Sequence, residues 1–187
     1  MGHGGTVVDE LMTDHREVEE IFGRIEALPP GDERRKEYVH EATIELMRHS
    51  VAEEQHLYPA VREHVTGGAD LADREIDDHA TAEQLMKDLE TLDADAPGFD
   101  AAVGKLMREV RAHIADEERN LFPRLEGAVS GAYLDELGEK VRRAKKTAPT
   151  RPHPSAPSTP PANKLLAPGA GLVDRARDAL TGRGKSG

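Results

Sequence analysis

An internal repeat with an offset of 64 residues constrains the fold of this chain more than any other feature. Each copy contains His-x-x-x-Glu-Glu followed by Leu, an aromatic residue and Pro, beginning at His49 in the first copy and at His113 in the second. An Asp-His pair precedes each copy, so that His15 and His79 lie 34 residues upstream. Two helical hairpins that each carry two His and a Glu predict one shared polar site inside a helical bundle.

Helical periodicity dominates the chain, and the alternation typical of strands is nearly absent. Five helices are predicted, over about residues 6–28, 32–65, 69–92, 99–129 and 132–146. Pro29-Pro30-Gly31, Gly67-Gly68 and Pro97-Gly98 separate the first four. Such short connections favour an all-α, up-down-up-down four-helix bundle with a short fifth helix beside it. Pro59 and Pro123, inside the second and fourth helices, each predict a kink.

Composition divides the chain into a bundle domain, residues 1–146, and a tail, residues 147–187. Seven of the 12 prolines lie between Pro149 and Pro168, which predicts a disordered Pro/Ala-rich tail with a short helix at 171–181 as its one candidate element. Residues 142–187 contain ten Lys or Arg and two Asp, against 15 basic and 34 acidic residues before them. This basic tail is either a solvated linker or a contact for an anionic partner. No motif indicates a nucleic-acid partner.

Two absences narrow the classes of protein that fit. No stretch resembles a signal peptide or a membrane span, so the expected location is the cytoplasm, without membrane insertion. The chain has no cysteine, which excludes disulfides, thiolate zinc sites and iron–sulfur clusters. Any metal site must therefore use nitrogen and oxygen ligands.

Ligand-type side chains occupy the predicted apolar seams of the four long helices. The six are His15, His49, Glu53, His79, His113 and Glu117. At about 1.5 Å rise per residue, antiparallel packing brings all six to within one or two turns of the same plane. An unpartnered neutral polar group costs roughly 2–7 kcal/mol to bury, and a charged one costs more. A pair of divalent cations would satisfy them, because imidazole and carboxylate are natural metal ligands. A hydrogen-bonded core without metal and a zinc scaffold are the simpler alternatives.

Neighbouring residues have more ordinary explanations. His56 lies one turn beyond Glu53 and is predicted to support the ligands or to hydrogen-bond in the core. Tyr58 and Phe122 are predicted to be core aromatics. The Glu-x-x-His pattern of ferritin-like di-iron bundles occurs at Glu53–His56, but the second copy has Asn120 in place of the His, which argues against that class.

The order His15, His49-x-x-x-Glu53, His79, His113-x-x-x-Glu117 resembles hemerythrin-like (HHE cation-binding) domains over about residues 6–130. The resemblance implies a four-helix bundle that holds two non-haem iron ions with an oxo or hydroxo bridge. It also implies the ligand roles. One iron would take His15 and His49, the other would take His79 and His113, and Glu53 and Glu117 would bridge them.

Two positions depart from the pattern of the oxygen-carrying members of that family. Glu83 stands where those members have a second His, and Glu118 where they commonly have Asp. Glu83 is therefore a further ligand candidate, and Glu19 is its pseudo-symmetric counterpart in a supporting role. An extra anionic ligand favours ferric over ferrous iron, which predicts reaction with O2, H2O2 or NO, in an oxidase-like or catalase-like form, over reversible oxygen carriage. An oxygen or iron sensor without turnover is the alternative, and no catalytic residue is assigned.

Overall fold

The computed structural model describes residues 3–160 and 162–181, and all regular structure within them is helical. The α-helices are α1 (Val7–Glu26), α2 (Glu33–Ala52), α3 (Tyr58–His64), α4 (Gly68–Leu89), α5 (Phe99–Asp116), α6 (Phe122–Ala128), α7 (Gly131–Lys145) and α8 (Ala162–Thr181). Two five-residue π-helical segments, π1 (Glu53–Leu57) and π2 (Glu117–Leu121), join α2 to α3 and α5 to α6. The all-α prediction is confirmed.

Local sequence determines where the helices begin. The Thr6 hydroxyl accepts from the Asp9 N–H while the Asp9 carboxylate accepts from the Thr6 N–H, which forms a capping box at the start of α1. The Asp32 carboxylate caps α2 by accepting a first-turn N–H at 3.0 Å. Gly67 and Gly98 precede α4 and α5 with φ of 68° and 98°, a backbone conformation that a residue with a Cβ adopts only with strain.

The apolar core forms two clusters, one on each side of the layer that contains the predicted ligands. One cluster includes Leu11, Leu57 and Phe122, and the other includes Phe22 and Phe99. The fifth helix of the prediction, α7, packs on α1 and α2. None of the described helices combines the length and apolar character that a membrane span requires.

The predicted kinks take the form of π turns. The Tyr58 N–H bonds to the Glu53 carbonyl five residues back, and the same bond joins their repeat mates in π2. Pro59 and Pro123 follow these bonds directly and have no N–H of their own, so neither could continue the regular α-helical ladder. A π turn contains one extra residue. In a regular α-helix the residue four positions after Glu53 or Glu117 would face the interior, and here it is the residue five positions after.

The tail differs from the disordered segment that composition predicted. Residues 147–160 lie against the bundle, and α8 begins at Ala162 instead of residue 171. The Asp174 carboxylate is buried and accepts from the N–H groups of Thr150 and Arg151, each at 3.2 Å. Proline content indicates a poor capacity to form an apolar core. It does not reveal such polar anchors, and this is why the structure differs from the expectation.

Candidate metal centre

The six predicted ligands meet in the bundle interior, and each is at most 7% exposed. They form two overlapping groups within which one ligand atom of each residue lies within 4.8 Å of the others. The first group is His15, His49, Glu53 and Glu117, and the second is Glu53, His79 and His113. We call the side of His15 and His49 the first half of the centre, and the side of His79 and His113 the second half.

Each of the two glutamates joins the halves through one oxygen. Glu53 Oε2 lies 3.1 Å from His49 Nε2 and 3.3 Å from His79 Nε2. The matching distances, 3.3 Å and 3.5 Å, run from Glu117 Oε2 to His15 Nε2 and His113 Nε2. Both carboxylates therefore stand between one imidazole of each half, as bridging ligands would.

The outer nitrogen of every one of these imidazoles faces a carboxylate. Three of these Nδ1 atoms form hydrogen bonds, His15 with Glu118 at 2.9 Å, His49 with Asp14 at 3.2 Å and His79 with Glu54 at 3.2 Å. His113 Nδ1 lies 2.9 Å from a Glu75 oxygen, at an ion-pair distance without hydrogen-bond geometry. A carboxylate at Nδ1 keeps a proton there, orients the ring and leaves the Nε2 lone pair directed inward. This is the arrangement that metal-binding histidines adopt.

The repeat accounts for three of the four outer carboxylates. Glu54 and Glu118 are repeat mates, and the mate of Asp14 is Asp78. Asp78, however, is 57% exposed and lies 4.0 Å from His113 Nδ1. Glu75, one turn earlier on α4, is buried and occupies that place instead.

The basic residues around the outer carboxylates are distributed unevenly. In the first half, Asp14 forms an ion pair with Lys145 of α7, and Glu118 pairs with Arg16 at 2.9 Å. In the second half, no Lys or Arg of residues 3–160 and 162–181 forms an ion pair with Glu54 or Glu75.

The inner atoms fit a pair of cations. Within the described residues, His15 Nε2, Glu53 Oε1 and Glu117 Oε2 are buried without a hydrogen-bond partner. The Nε2 atoms of His79 and His113 lie only 3.2 Å apart. Buried polar atoms are normally paired, and converging lone pairs and carboxylates repel one another unless positive charge lies between them. Imidazole and carboxylate donors suit iron, manganese and zinc.

The centre attracts positive charge in the form of protons as well. Burial opposes protonation of His79, but hydrogen bonds with Glu53 and Glu54 outweigh it and raise the pKa of His79 to about 10. Burial likewise opposes charge on His49, and Glu53 with Asp14 raises its pKa well above the ordinary value. Metal ions and protons therefore compete for the same nitrogen atoms.

Tyr58 reaches the centre, where the sequence predicted only a core aromatic. Its hydroxyl lies 3.1 Å from Glu117 Oε1, 3.3 Å from Glu53 Oε2 and 3.1 Å from His79 Nε2. Burial and these carboxylates hold the pKa of Tyr58 well above its usual value, so the hydroxyl keeps its proton. The π turn brings this side chain inward. Pro59 indicates an irregular turn in the sequence. Helical periodicity, however, does not show which residues face the interior after that turn.

Three secondary candidates lie outside the ligand groups. Glu83 accepts a hydrogen bond from the backbone N–H of His153 at 2.6 Å. The supporting role predicted for Glu19 is wrong, because its carboxylate is half-exposed and binds Arg111. His56, in π1, is only partly buried, and its supporting role stays a prediction. Burial and three nearby cations lower its pKa to about 4.

Comparison with known proteins agrees with this geometry. The family model described as hemerythrin HHE cation binding domain matches residues 6–125. An uncharacterized hemerythrin-like protein of Schizosaccharomyces pombe is 27% identical over 175 residues, which cover 93% of this chain and 86% of that protein. A DNA nickase of Nostoc sp. is 25% identical over 139 residues, covering 74% of this chain but only 39% of the nickase.

A solved structure has the same fold. It is the crystal structure of a hemerythrin HHE cation binding domain-containing protein from Mycobacterium kansasii, with a TM-score of 0.66 and 23% sequence identity. The match covers 75% of this chain and 85% of that chain. Together with the family match over more than half of its length, these observations show that the chain belongs to the hemerythrin HHE cation-binding domain family.

Proposed function

We propose that this protein is a non-haem di-iron protein that binds and reacts with O2, H2O2 or NO. The observation that carries the proposal is the pair of glutamates, Glu53 and Glu117, each in contact with one imidazole of each half. His15 and His49 would hold one ion, and His79 and His113 the other. When bound, two iron ions supply one-electron and two-electron redox chemistry toward small molecules.

The residues of the chain orient and protect this site. The four outer carboxylates fix the imidazole rings and increase their basicity, which stabilises ions of higher charge. The two apolar clusters on either side keep bulk water from the ligand layer. Tyr58 keeps its hydroxyl proton within hydrogen-bond distance of both glutamates, so it can donate a hydrogen bond to a small molecule that enters.

The structure offers different grounds from the sequence for expecting a reaction with O2 or H2O2 instead of reversible oxygen binding. Glu83, predicted from the sequence as an extra anionic ligand, accepts a hydrogen bond from the backbone N–H of residue 153. Two features now favour oxidation or peroxide chemistry: carboxylates on all four imidazoles, and the Tyr58 hydroxyl as a hydrogen-bond donor. Catalase-like disproportionation of H2O2 is the most specific form of the proposal.

The proposal is tested by anaerobic loading with Fe²⁺, followed by metal analysis, a near-ultraviolet and visible spectrum, and measurement of O2 released from added H2O2. We expect about two iron ions per chain and O2 release. Tyr58→Phe should retain iron and slow the release, whereas the surface variant His64→Ala should match the parent. Bound iron without turnover would favour the sensor alternative. A colourless, iron-free protein would contradict the di-iron assignment.

A further inference from the structure

We propose that the C-terminal segment, residues 147–160 together with α8, forms the roof of a chamber that admits small uncharged molecules to the second half of the metal centre. The biological use of this chamber rests on the proposed function, but its existence does not. The basis is a cavity of about 70 Å³ between this segment and the bundle.

The floor of the chamber belongs to the bundle, and its roof belongs to the tail. The floor is lined by side chains that include Met47, His79 and Met86, and the roof by side chains that include Pro157, Leu166 and Ala167. His79 and Met86 also line a smaller cavity of about 20 Å³ among the ligands. The chamber therefore adjoins the centre at His79.

The size and lining of the chamber define what it can hold. A water molecule occupies about 30 Å³ in the liquid, so the chamber suits molecules of about two to four heavy atoms. Most of the lining is Met, Val, Leu, Ala and Pro, which favours apolar or weakly polar guests. Glu54 and Glu83 are the acidic side chains on its walls, beside the imidazoles of His79 and His153.

The two parts of the roof are held together by buried acids of α8. Asp174 accepts from the N–H groups of Thr150 and Arg151 at 3.2 Å, and the Thr150 hydroxyl donates to Asp178 at 2.6 Å. Arg151 adds an ion pair with Asp178 at 2.7 Å. Through these contacts residues 147–160 and α8 form one packed unit.

Two hydrogen bonds attach this unit to the bundle beside the chamber, in addition to a longer one from Arg151 to Glu90 at 3.4 Å. The His153 N–H donates to Glu83 at 2.6 Å, and the Gln55 amide donates to the Asn163 carbonyl at 3.3 Å. Glu83, which the sequence proposed as a metal ligand, therefore anchors the roof.

Gly171 is the point of closest contact within the roof. A Cβ at this position would lie 2.2 Å from the Thr147 carbonyl oxygen and 2.7 Å from that of Ala148. Because both neighbours are backbone atoms, a larger residue must displace α8. Gly171→Val should therefore open the roof without a change to any residue of the metal centre.

The test uses the full chain with ¹³C-labelled methionine methyl groups, equilibrated with diamagnetic Zn²⁺ and placed under xenon pressure. Met47 and Met86 line the chamber, whereas Met107 is buried in the core outside it. We expect saturable shifts of the Met47 and Met86 methyl signals, and no saturable shift of Met107. Ala167→Phe should abolish the shifts by filling the chamber.

Several results would overturn the chamber. Equal responses of all three methionines, or a full xenon response in Ala167→Phe, would show that no such cavity exists. An unchanged response in Gly171→Val, with a native Met107 signal, would show that the tail does not form the roof. Zinc analysis of the same samples separates the two proposals. Bound metal without a xenon response contradicts only the chamber, whereas a xenon response without bound metal contradicts only the metal centre.

Discussion

The two halves of the metal centre have matching inner ligands but different surroundings. In the first half, the outer carboxylates Asp14 and Glu118 are neutralised by Lys145 and Arg16. In the second half, Glu54 and Glu75 have no such partner among the basic side chains that the structure describes. The duplication repeats the ligands, whereas the charge that balances them comes from positions outside the repeated motif, including the fifth helix. Two metal positions with similar ligands can therefore differ in electrostatic potential.

The electrostatic consequence is that the second half is the more negative of the two. A carboxylate without a counter-ion increases the attraction for a cation, and the low dielectric of the interior strengthens this effect. We expect the second half to bind a metal ion first and to favour the higher oxidation state. The chamber beneath the tail opens on this same half.

Removal of one ligand imidazole should produce the largest effect. His49→Ala and His113→Ala should each reduce bound iron from about two ions to about one, since each disrupts one half. The ion that remains in His113→Ala should be held more weakly, because it occupies the first half. Iron quantification after dialysis measures both, with His64→Ala as the control. Two tightly bound ions in both variants would rule out the ligand assignment.

Glu75→Gln should reduce the difference in metal affinity between the two halves. It removes the buried charge that supports His113, and loss of such a partner typically lowers metal affinity by about 10–100-fold. Asp78→Asn is the matched control, because Asp78 is the repeat mate of Asp14 but is 57% exposed. Calorimetric titration with Zn²⁺ should show two binding steps in the parent that converge in Glu75→Gln. An equal change in both variants would mean that the charge of Glu75 has no special role.

Acidification should weaken metal binding in both halves, with a further loss in the second half below about pH 6. The pKa of His79 is about 10, so at lower pH a proton must leave before a metal ion binds, at a cost of about tenfold in affinity per pH unit and proton. Burial raises the pKa of Glu75 to about 6, so its support is lost below that pH. Zn²⁺ titrations between pH 9 and pH 5.5, with measured proton release, test this. Affinity independent of pH would contradict it.

The smallest effect concerns His56, whose repeat mate is Asn120. Burial and the charges of Lys164, Lys140 and Arg143 lower the pKa of His56 to about 4. The unfolded chain therefore binds this proton first, and the folded state loses stability as the pH falls from about 6.5 toward 4. His56→Gln should remove about 1 kcal/mol of this acid destabilisation, a value reduced for solvent screening. Urea unfolding at pH 7 and pH 5 measures it. Asn120→Gln should leave the pH dependence unchanged.

The sequence was sufficient to predict which six side chains meet in the bundle interior. His49 with Glu53, and His113 with Glu117, follow the spacing of one helix face, and the repeat distinguishes them from chance. Burial of such groups has few solutions other than a cation site, so pattern and energetics lead to the same residues. The helices and the family resemblance followed from this information.

Tertiary structure decided which other residues take part. The π turns changed the register and brought the Tyr58 hydroxyl to the two glutamates. Packing between helices placed Glu75 beside His113 in preference to Asp78, and brought Lys145 to Asp14 from a distant part of the chain. Sequence periodicity reports which face of a single helix is buried. The charges that balance a buried ligand come from whichever helices pack around it, and that information exists only once the chain has folded.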